Sequence, residues 1–292
     1  MVEKTKKKSQ EADRPTGERV QKALARMGFG SRREIEGLIR EGNIRINGQL
    51  AKLGDLVVEG DKVNIGKRRA VISSEVSRIR VLIYNKPEGE ICSRKDEQGR
   101  STVFENLGKL QQGRWISIGR LDINSSGLMV FTNYGELANH MMHPSSEIER
   151  EYAVRVNGKV TQEILRRMLK GVEVDGDFLK FDQISYQGGQ GANHWYHVTL
   201  REGKNREVRR LWQSQDIRVS RLIRVRYGPL LLPRDLRQGK KRELELDEVK
   251  ALFKAVNLPW PEAFADRGKK PKRRTKSYGG GRKKHSSRRV AR

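Results

Sequence analysis

The sequence predicts an α+β fold, with a small ααβ domain followed by a larger domain built on a mixed, largely antiparallel sheet. Two observations lead to this prediction. Strand and helix patterns do not alternate regularly, as they would in a doubly wound parallel sheet. The dipeptide Gly188-Gly189 between two strand patterns indicates a hairpin turn, which joins antiparallel strands. Residues 66–79 (GKRRAVISSEVSRI) have the composition of a linker between the two domains.

The small domain, residues 16–65, begins with two helix patterns. Val20 and Leu24 recur at helical spacing in the first. Ser31 followed three residues later by Glu34 is a capping box, which marks the start of the second. Short strand patterns follow at residues 44–46, 57–58 and 63–65.

The larger domain, residues 80–262, mixes strand and helix patterns. The strand patterns are Val81–Tyr84, Arg114–Ile118, Leu128–Thr132, Tyr152–Val156, Trp195–Leu200 and Leu222–Tyr227. The helix patterns are Gly135–Met142, Thr161–Lys170, Asn205–Ser214 and Asp247–Ala255.

The charge distribution points to a nucleic acid partner. The chain carries a net charge of +26. Residues 266–292 contain 13 Lys or Arg and one Asp, and residues 1–15 contain five Lys or Arg and three acidic residues. A charge of +12 therefore remains for residues 16–265, which must fold, and a basic folded body suits a phosphate backbone. An acidic protein partner is the alternative.

Both termini, 1–15 and 263–292, are polar and lack a regular apolar pattern, so we expect them to be disordered.

Several function classes are disfavoured. Cys92 is the one cysteine, which excludes an internal disulfide and a multi-cysteine metal site. His140 and His143 have helical spacing for a metal pair, but no third ligand is evident nearby. No phosphate-binding loop or dinucleotide fingerprint occurs. Without a signal peptide or a membrane-span pattern, the expected location is the cytoplasm.

The small domain carries a basic surface. Arg32 and Arg33 lie in the first turn of the second helix, and Arg45 lies beyond its far end, an arrangement that can bind phosphate. The ordered string from Ser31 to Gly48, with its Ser-Arg-Arg start and Asn-Gly end, resembles the small RNA-binding domain first seen in ribosomal protein S-four. The resemblance implies RNA as the partner but no particular chemistry.

The chemistry is expected between Ile118 and Ser145 (IGRLDINSSGLMVFTNYGELANHMMHPS). Arg120 and Asp122 precede a Ser-Ser-Gly turn and a buried strand pattern. An acid beside an arginine at such a junction could be a nucleophile or base. A structural ion pair is the alternative from the residues alone.

Four ordered motifs resemble the pseudouridine synthases, in the branch related to the ribosomal enzyme RsuA. They are the segment around Asp122, YNKPEG (84–89), EREYAVRV (149–156) and GKNREVRRLW (203–212). By this resemblance the catalytic residues are Asp122, Tyr152 and Arg209. Asp122 would attack the target nucleotide or abstract a ribose proton, Tyr152 would stack on the target base, and Arg209 would pair with Asp122. The resemblance implies no metal and no cofactor. One departure is that Arg206 and Glu207 stand where relatives often carry His-Gln.

The resemblance also implies an RNA isomerase that flips one uridine out of large-subunit (23S) ribosomal RNA and works as a monomer. Alternatives are the small-subunit (16S) RNA as substrate, a non-catalytic assembly factor that only binds RNA, and a glycosylase or nuclease. The expected RNA contacts are Arg120, Arg32, Arg33, Arg45, Lys86, Lys204, Arg206 and Arg210.

Overall fold

The N-terminal domain packs two helices against short strands in the computed structural model, which describes residues 17–73, 78–94 and 96–264. The helices are α1 (Val20–Arg26) and α2 (Arg32–Arg40). The strands are β1 (Glu18–Arg19), β2 (Ile44–Ile46), β3 (Gln49–Leu50), β4 (Leu56–Val57), β5 (Lys62–Ile65) and β6 (Arg68–Val71). β1 pairs with β4, and the other four strands form a sheet in the order β3-β2-β5-β6.

The predicted capping box at the start of α2 is confirmed. The backbone N–H of Glu34 donates to Ser31 Oγ at 3.1 Å, and the backbone N–H of Ser31 donates to Glu34 Oε2 at 2.6 Å. These two bonds satisfy amides that a helix start otherwise leaves open. The helix then buries Ile35 and Ile39 against Leu24 in the small core.

The predicted linker at 66–79 is wrong in part. After a turn at Gly66 (φ +53°), residues 68–71 form β6, which pairs antiparallel with β5 over four residues. The basic residues Arg68 and Arg69 are exposed on this edge strand, which is why the segment lacks the apolar alternation of a buried strand. Residues 74–77, in the rest of that segment, lie outside the described part.

The C-terminal domain is built on one sheet of nine strands. Its sheet strands are β7 (Val81–Lys86), β8 (Ile116–Ile118), β9 (Ser126–Thr132), β10 (Arg150–Asn157), β13 (Gln183–Gln190), β14 (Asn193–Leu200), β15 (Arg218–Tyr227), β16 (Leu230–Leu231) and β17 (Lys241–Glu243), while β11 (Val172–Val174) and β12 (Asp177–Leu179) form a separate hairpin. The main order is β13-β14-β10-β15-β9-β7-β17, with β8 on β9 and β16 on β15.

The sheet is mixed and largely antiparallel, as the sequence predicts. The pairing of β9 with β15 is parallel, and the other pairings within the nine described strands are antiparallel. The domain's helices are α3 (Gly135–Met142), α4 (Gln162–Lys170), α5 (Glu207–Gln213) and α6 (Leu246–Ala255). Each of the four predicted helices is therefore present, with ends shifted by at most two residues.

Two hairpins differ from the sequence prediction. Gly188 and Gly189 lie inside β13, at a register shift against β14, and the chain reverses at Gly191-Ala192 instead. Glycine suits both places, because a bulge and a tight turn each demand unusual backbone angles. The β11–β12 hairpin has no counterpart in the prediction, because its strands are three residues long and too short to show a period.

The two domains meet at a close backbone contact. A Cβ at Gly28 would lie 2.8 Å from the carbonyl oxygen of Gly113, and a Cβ at Gly113 would lie 2.9 Å from the carbonyl oxygen of Arg26. Both positions have positive φ, so glycine is favoured there for space and for conformation. The small domain is thus seated directly on the loop that leads into β8.

The described chain divides after Pro259, and Trp260 begins a second unit in which the rings of Trp260 and Phe264 meet edge-on, 6.3 Å between centroids. Of the segments predicted to be disordered, 1–15 and 263–292, residues 263 and 264 belong to a short 3-10 helix, Glu262–Phe264. The rest of both segments lies outside the described residues. Within the described part, no helix is long and apolar enough to span a membrane.

Candidate active site

Asp122 lies in the loop between β8 and β9, at the wall of a large cleft. The backbone N–H of Ser125 donates to the Asp122 carbonyl at 3.0 Å and closes a tight turn immediately before β9. The side chain of Asp122 is 34% exposed, so its carboxylate is open to the cleft. The cleft has a volume of about 1530 Å³, and Tyr152, Arg120, Arg206 and Asp122 line it together.

Lys86 holds the Asp122 loop from inside the protein. Its side chain is fully buried, and Nζ donates to the carbonyl oxygens of Ser125 at 2.7 Å and Pro87 at 2.9 Å, with Ile123 at 3.5 Å. Burial lowers the pKa of Lys86. The expectation that Lys86 contacts RNA is therefore wrong: its ammonium group has no exposed surface and is used to fix the loop.

Cys92 holds the same loop on the side before Asp122. Its thiol donates to the Leu121 carbonyl at 3.1 Å, and the Leu121 N–H points back at the sulfur at 3.4 Å. Burial raises the pKa of the Cys92 thiol, which keeps it protonated and able to donate. The sulfur therefore acts as a hydrogen-bonding group that positions the backbone next to the aspartate.

Arg206 is the cation that pairs with Asp122. Arg206 Nη1 lies 3.5 Å from Asp122 Oδ2, and 46% of the arginine side chain is exposed. Its backbone has φ +49°, a left-handed conformation that is uncommon for arginine and turns the side chain toward the cleft at the start of α5. An exposed pair at this distance adds little stability, so its value is in orienting the carboxylate.

Arg209 does not form the ion pair that the resemblance implies. Its guanidinium donates instead to the carbonyl of Asn124 at 2.6 Å and to that of Val219 at 3.1 Å. Burial lowers the pKa of Arg209, as does the nearby Arg206 cation, while Asp122 acts in the opposite direction. Arg209 thus connects the turn after Asp122 to β15. Asp122 affects the pKa of Arg209 through the attraction between their charges and makes no hydrogen bond to it.

Tyr152 reaches the cleft from β10. Its Cα is paired with Val198 of β14 and with Arg224 of β15, and its side chain is 9% exposed. The ring belongs to the main hydrophobic core on one side, while it lines the cleft with Asp122 on the other. Such a ring can offer a firm apolar surface to a base that enters the cleft.

Arg210 and Lys204 contact the protein itself. Arg210 pairs with Asp177 at 2.7 Å and with Asp175 at 3.3 Å, and only 17% of its side chain is exposed. Two carboxylates on the β11–β12 hairpin bind its guanidinium, and its contact with RNA stays a prediction. Lys204 lines the cleft, and its Nζ pairs with Glu202 at 2.7 Å and donates to the Phe178 carbonyl at 2.9 Å.

The expected contacts of the small domain lie away from the cleft. Arg32 and Arg33 are exposed in the first turn of α2. Arg45 is exposed on β2 and donates to the Gly48 carbonyl at 3.2 Å. The three remain available to an RNA that extends beyond the Asp122 cleft.

Two buried charged residues also line the cleft, and the sequence analysis did not place them there. Arg224 is 2% exposed, donates from Nε to the Leu128 carbonyl at 2.7 Å and lies over the Tyr227 ring, 5.1 Å from its centroid. Glu207 is 4% exposed, and burial raises its pKa to about 7. An arginine that interrupts the apolar positions of a buried strand was the available signal for Arg224; no pattern in the sequence indicated that Glu207 is buried.

A second groove, of about 760 Å³, shares Arg206 with the cleft as a lining residue. Arg206 lines both spaces, and Arg209 and Arg218 line the groove. The acidic residues Glu88 and Asp216 line the groove as well, so its lining carries charges of both signs.

Comparison with known proteins agrees with this architecture. Residues 80–214 match the RNA pseudouridylate synthase family, and residues 18–63 match the S4 domain. A solved crystal structure of a pseudouridylate synthase aligns with a TM-score of 0.57 at 24% identity, covering 80% of this chain and 99% of that chain, which shows a common fold.

Three relatives of higher identity are named ribosomal large subunit pseudouridine synthase B. The protein from Pseudomonas aeruginosa is 51% identical over 248 residues, which cover 84% of this chain and 64% of that protein. The protein from Yersinia pestis is 51% identical over 245 residues, or 83% and 77% of the two chains. The protein from Escherichia coli K12 is 49% identical over 263 residues, or 89% and 90%.

Proposed function

Because this chain belongs to the RNA pseudouridylate synthase family, we propose that it converts one uridine of large-subunit (23S) ribosomal RNA to pseudouridine. The observation that carries the proposal is the solvent-open Asp122 carboxylate, oriented by Arg206 at the wall of a cleft that also contains the ring of Tyr152. The named relatives support the large subunit as the source of the RNA. The finer proposal is that the target is uridine 2605 in standard bacterial numbering.

The reaction begins with a base flip. A uridine stacked in a helix cannot reach a carboxylate at the wall of a cleft, and extruding it costs a few kcal/mol, less in a loop or bulge. Tyr152 provides the surface on which the extruded uracil stacks, and Arg120, exposed at the cleft, holds the phosphate of the flipped nucleotide or fills the space it left.

Asp122 then starts the isomerisation. Its carboxylate attacks the ribose or removes a ribose proton, and the bond between C1′ and N1 breaks. The detached uracil rotates and bonds to C1′ through C5. This step breaks the bond between Asp122 and the sugar or, on the second route, Asp122 returns the ribose proton. The proton on C5 leaves while N1 gains one. The product is an isomer of the substrate, so the scheme needs no oxidant, reductant or added group. Lys86, Cys92 and Arg209 take no part in these steps, and their hydrogen bonds hold the loop in which Asp122 lies.

The direct test is conversion of transcribed 23S RNA by the purified enzyme, mapped by carbodiimide adducts, with Asp122→Asn alongside. Asparagine keeps the shape of the side chain but loses its charge, so conversion should fall below detection while RNA affinity stays within about twofold. One new adduct stop with the wild type alone supports the proposal and identifies the uridine. A stop on 16S RNA instead would move the target to the small subunit.

Other outcomes would favour the remaining alternatives. RNA binding without conversion on 23S RNA, 16S RNA or assembly intermediates would favour a factor that only binds. Release of free uracil or strand cleavage would indicate a glycosylase or nuclease. We further propose that the protein acts as a monomer in the cytoplasm, and sedimentation of the purified chain with and without RNA tests the first part.

A further inference from the structure

Phe178 stands at the cleft with half of its surface exposed. It lies on β12, its relative exposure is 50%, and it lines the same cleft as Asp122. Lys180, also exposed, and Lys204 line the cleft beside it. An exposed phenylalanine on its own needs no explanation, but here the ring and two cations border the space in which Asp122 lies.

The ring of Phe178 is supported by backbone. A Cβ at Gly171 would lie 2.0 Å from Cζ of Phe178 and within 2.7 Å of both neighbouring ring carbons, so the tip of the ring packs directly on the glycine. Gly171 ends α4 with φ +108°, which also favours glycine. Because the ring rests on main chain, it loses little freedom when a further group stacks on its open side.

The hairpin that carries Phe178 is fastened to α5 and to the segment just before it. Arg210 of α5 pairs with Asp175 and Asp177 and donates to the Val174 carbonyl at 2.5 Å. Lys204 donates to the carbonyl of Phe178 itself. Two side chains expected to hold RNA therefore hold the β11–β12 hairpin, and through it the position of the ring relative to the cleft.

We propose that Phe178 is a base-stacking subsite for a nucleotide adjacent to the target uridine in the RNA strand, with Lys180 as the cation for its phosphate. This inference rests on the proposed function, because a flipped uridine leaves its neighbour without a stacking partner. A half-exposed aromatic ring beside lysines is the combination that binds single-stranded RNA, since every base has a π face and every nucleotide a phosphate.

The test compares Phe178→Ala with Phe178→Trp, using the RNA that the wild type converts. Alanine should weaken RNA affinity by roughly 5- to 150-fold, as the loss of one stacked base does, and lower kcat/KM accordingly. Tryptophan, which keeps a stacking surface, should restore both to within about threefold of the wild type. Tyr186→Ala is the matched control, because Tyr186 is a 56% exposed aromatic on β13 that does not line the cleft.

Fluorescence provides a second readout that does not depend on the alanine variant being folded. The tryptophan of Phe178→Trp should be quenched on RNA binding beyond the change seen for the wild type, and melting temperatures verify that each variant is folded. Suppose that the wild type converts the RNA. If folded Phe178→Ala then binds RNA with unchanged affinity, or if RNA quenches Phe178→Trp no more than the wild type, the subsite is overturned and the proposed function stands. No conversion by the wild type would overturn the proposed function and the subsite with it.

Discussion

Three side chains distant from Asp122 in sequence hold its loop at different points. Lys86 binds the carbonyls after the aspartate, Cys92 binds the residue before it, and Arg209 ties the Asn124 carbonyl to β15. Each contact satisfies a backbone group that is costly to bury unpaired. Among the described residues the carboxylate makes one ion pair, the exposed one with Arg206, so its position is determined mainly by the backbone of its loop.

Glu207 predicts a pH dependence of stability. Burial raises its pKa from 4.5 to about 7, so the folded protein binds this proton more tightly than the unfolded chain. The free energy of unfolding therefore falls as the pH rises from about 4.5 through 7, by up to roughly 3 kcal/mol. In Glu207→Gln this loss is absent, while the amide oxygen can still accept the Lys204 N–H that Glu207 binds at 3.1 Å.

The measurement is urea unfolding of wild type and Glu207→Gln at pH 5, 6, 7 and 8 without RNA. The variant should gain stability relative to the wild type as the pH rises. Glu173→Gln is the control, because Glu173 is exposed on β11 and should follow the wild type. Parallel pH profiles for wild type and Glu207→Gln would show that Glu207 is not held neutral by burial.

At the scale of elements, the parallel contact between β9 and β15 determines where the loop of Asp122 meets the rest of the site. Ser126 and Gly127, the first residues of β9, pair with Ile223 and Arg224. The contact is close enough to exclude a side chain: a Cβ at Gly127 would lie 2.3 Å from the Arg224 carbonyl oxygen, and φ there is +102°. The pairing of β9 with β15 therefore requires a glycine at position 127.

We expect Gly127→Ala to lower the free energy of unfolding by several kcal/mol or to prevent folding, because overpacking and a strained φ act together. Gly37→Ala is the matched control. Gly37 lies within α2, a Cβ there would meet nothing within 4 Å, and alanine should stabilise the helix by about 0.5–1 kcal/mol. Urea unfolding of the two variants measures both changes in the free energy of unfolding, the expected loss for Gly127→Ala and the expected gain for Gly37→Ala. Equal stabilities for Gly127→Ala and the wild type would refute the close contact.

At the scale of the whole molecule, the positive charge is divided between a folded body and the C-terminal segment. Residues 266–292 carry 13 Lys or Arg and one Asp of a chain whose net charge is +26. Cations that neutralise RNA phosphates release counterions, so affinity falls with salt in proportion to their number. The folded body carries further basic residues at the cleft, at the second groove and on the small domain, which we propose as its own RNA contacts.

Deleting residues 266–292 should weaken RNA binding and reduce its salt dependence. Each phosphate contact removed should lower the slope of log affinity against log salt by about 0.9 for duplex and about 0.7 for single strands. RNA-binding titrations between 50 and 300 mM salt measure the slope for the full and shortened chains. A full-length variant in which the Lys and Arg residues of 266–292 are changed to Gln separates the effect of charge from that of length. An unchanged slope would mean that the tail makes no contact with RNA.

The sequence by itself determined the local elements and the family. Period and capping predict α2 and the four helices of the larger domain, because these signals arise between residues a few positions apart. The ordered motifs around Asp122 and Tyr152 identify the family, because they are read in chain order and need no knowledge of packing.

Only the tertiary structure decided which charges meet. Arg206 rather than Arg209 pairs with Asp122, Lys86 is buried under the loop, and Arg210 fastens a hairpin. Lys86 and Ser125 are 39 residues apart, and Arg209 and Asn124 are 85 apart. A basic side chain near a motif reads the same in sequence whether it faces solvent, a carbonyl or a carboxylate. Which of these it meets depends on how the sheet brings distant segments together, and a one-dimensional pattern carries no measure of that distance.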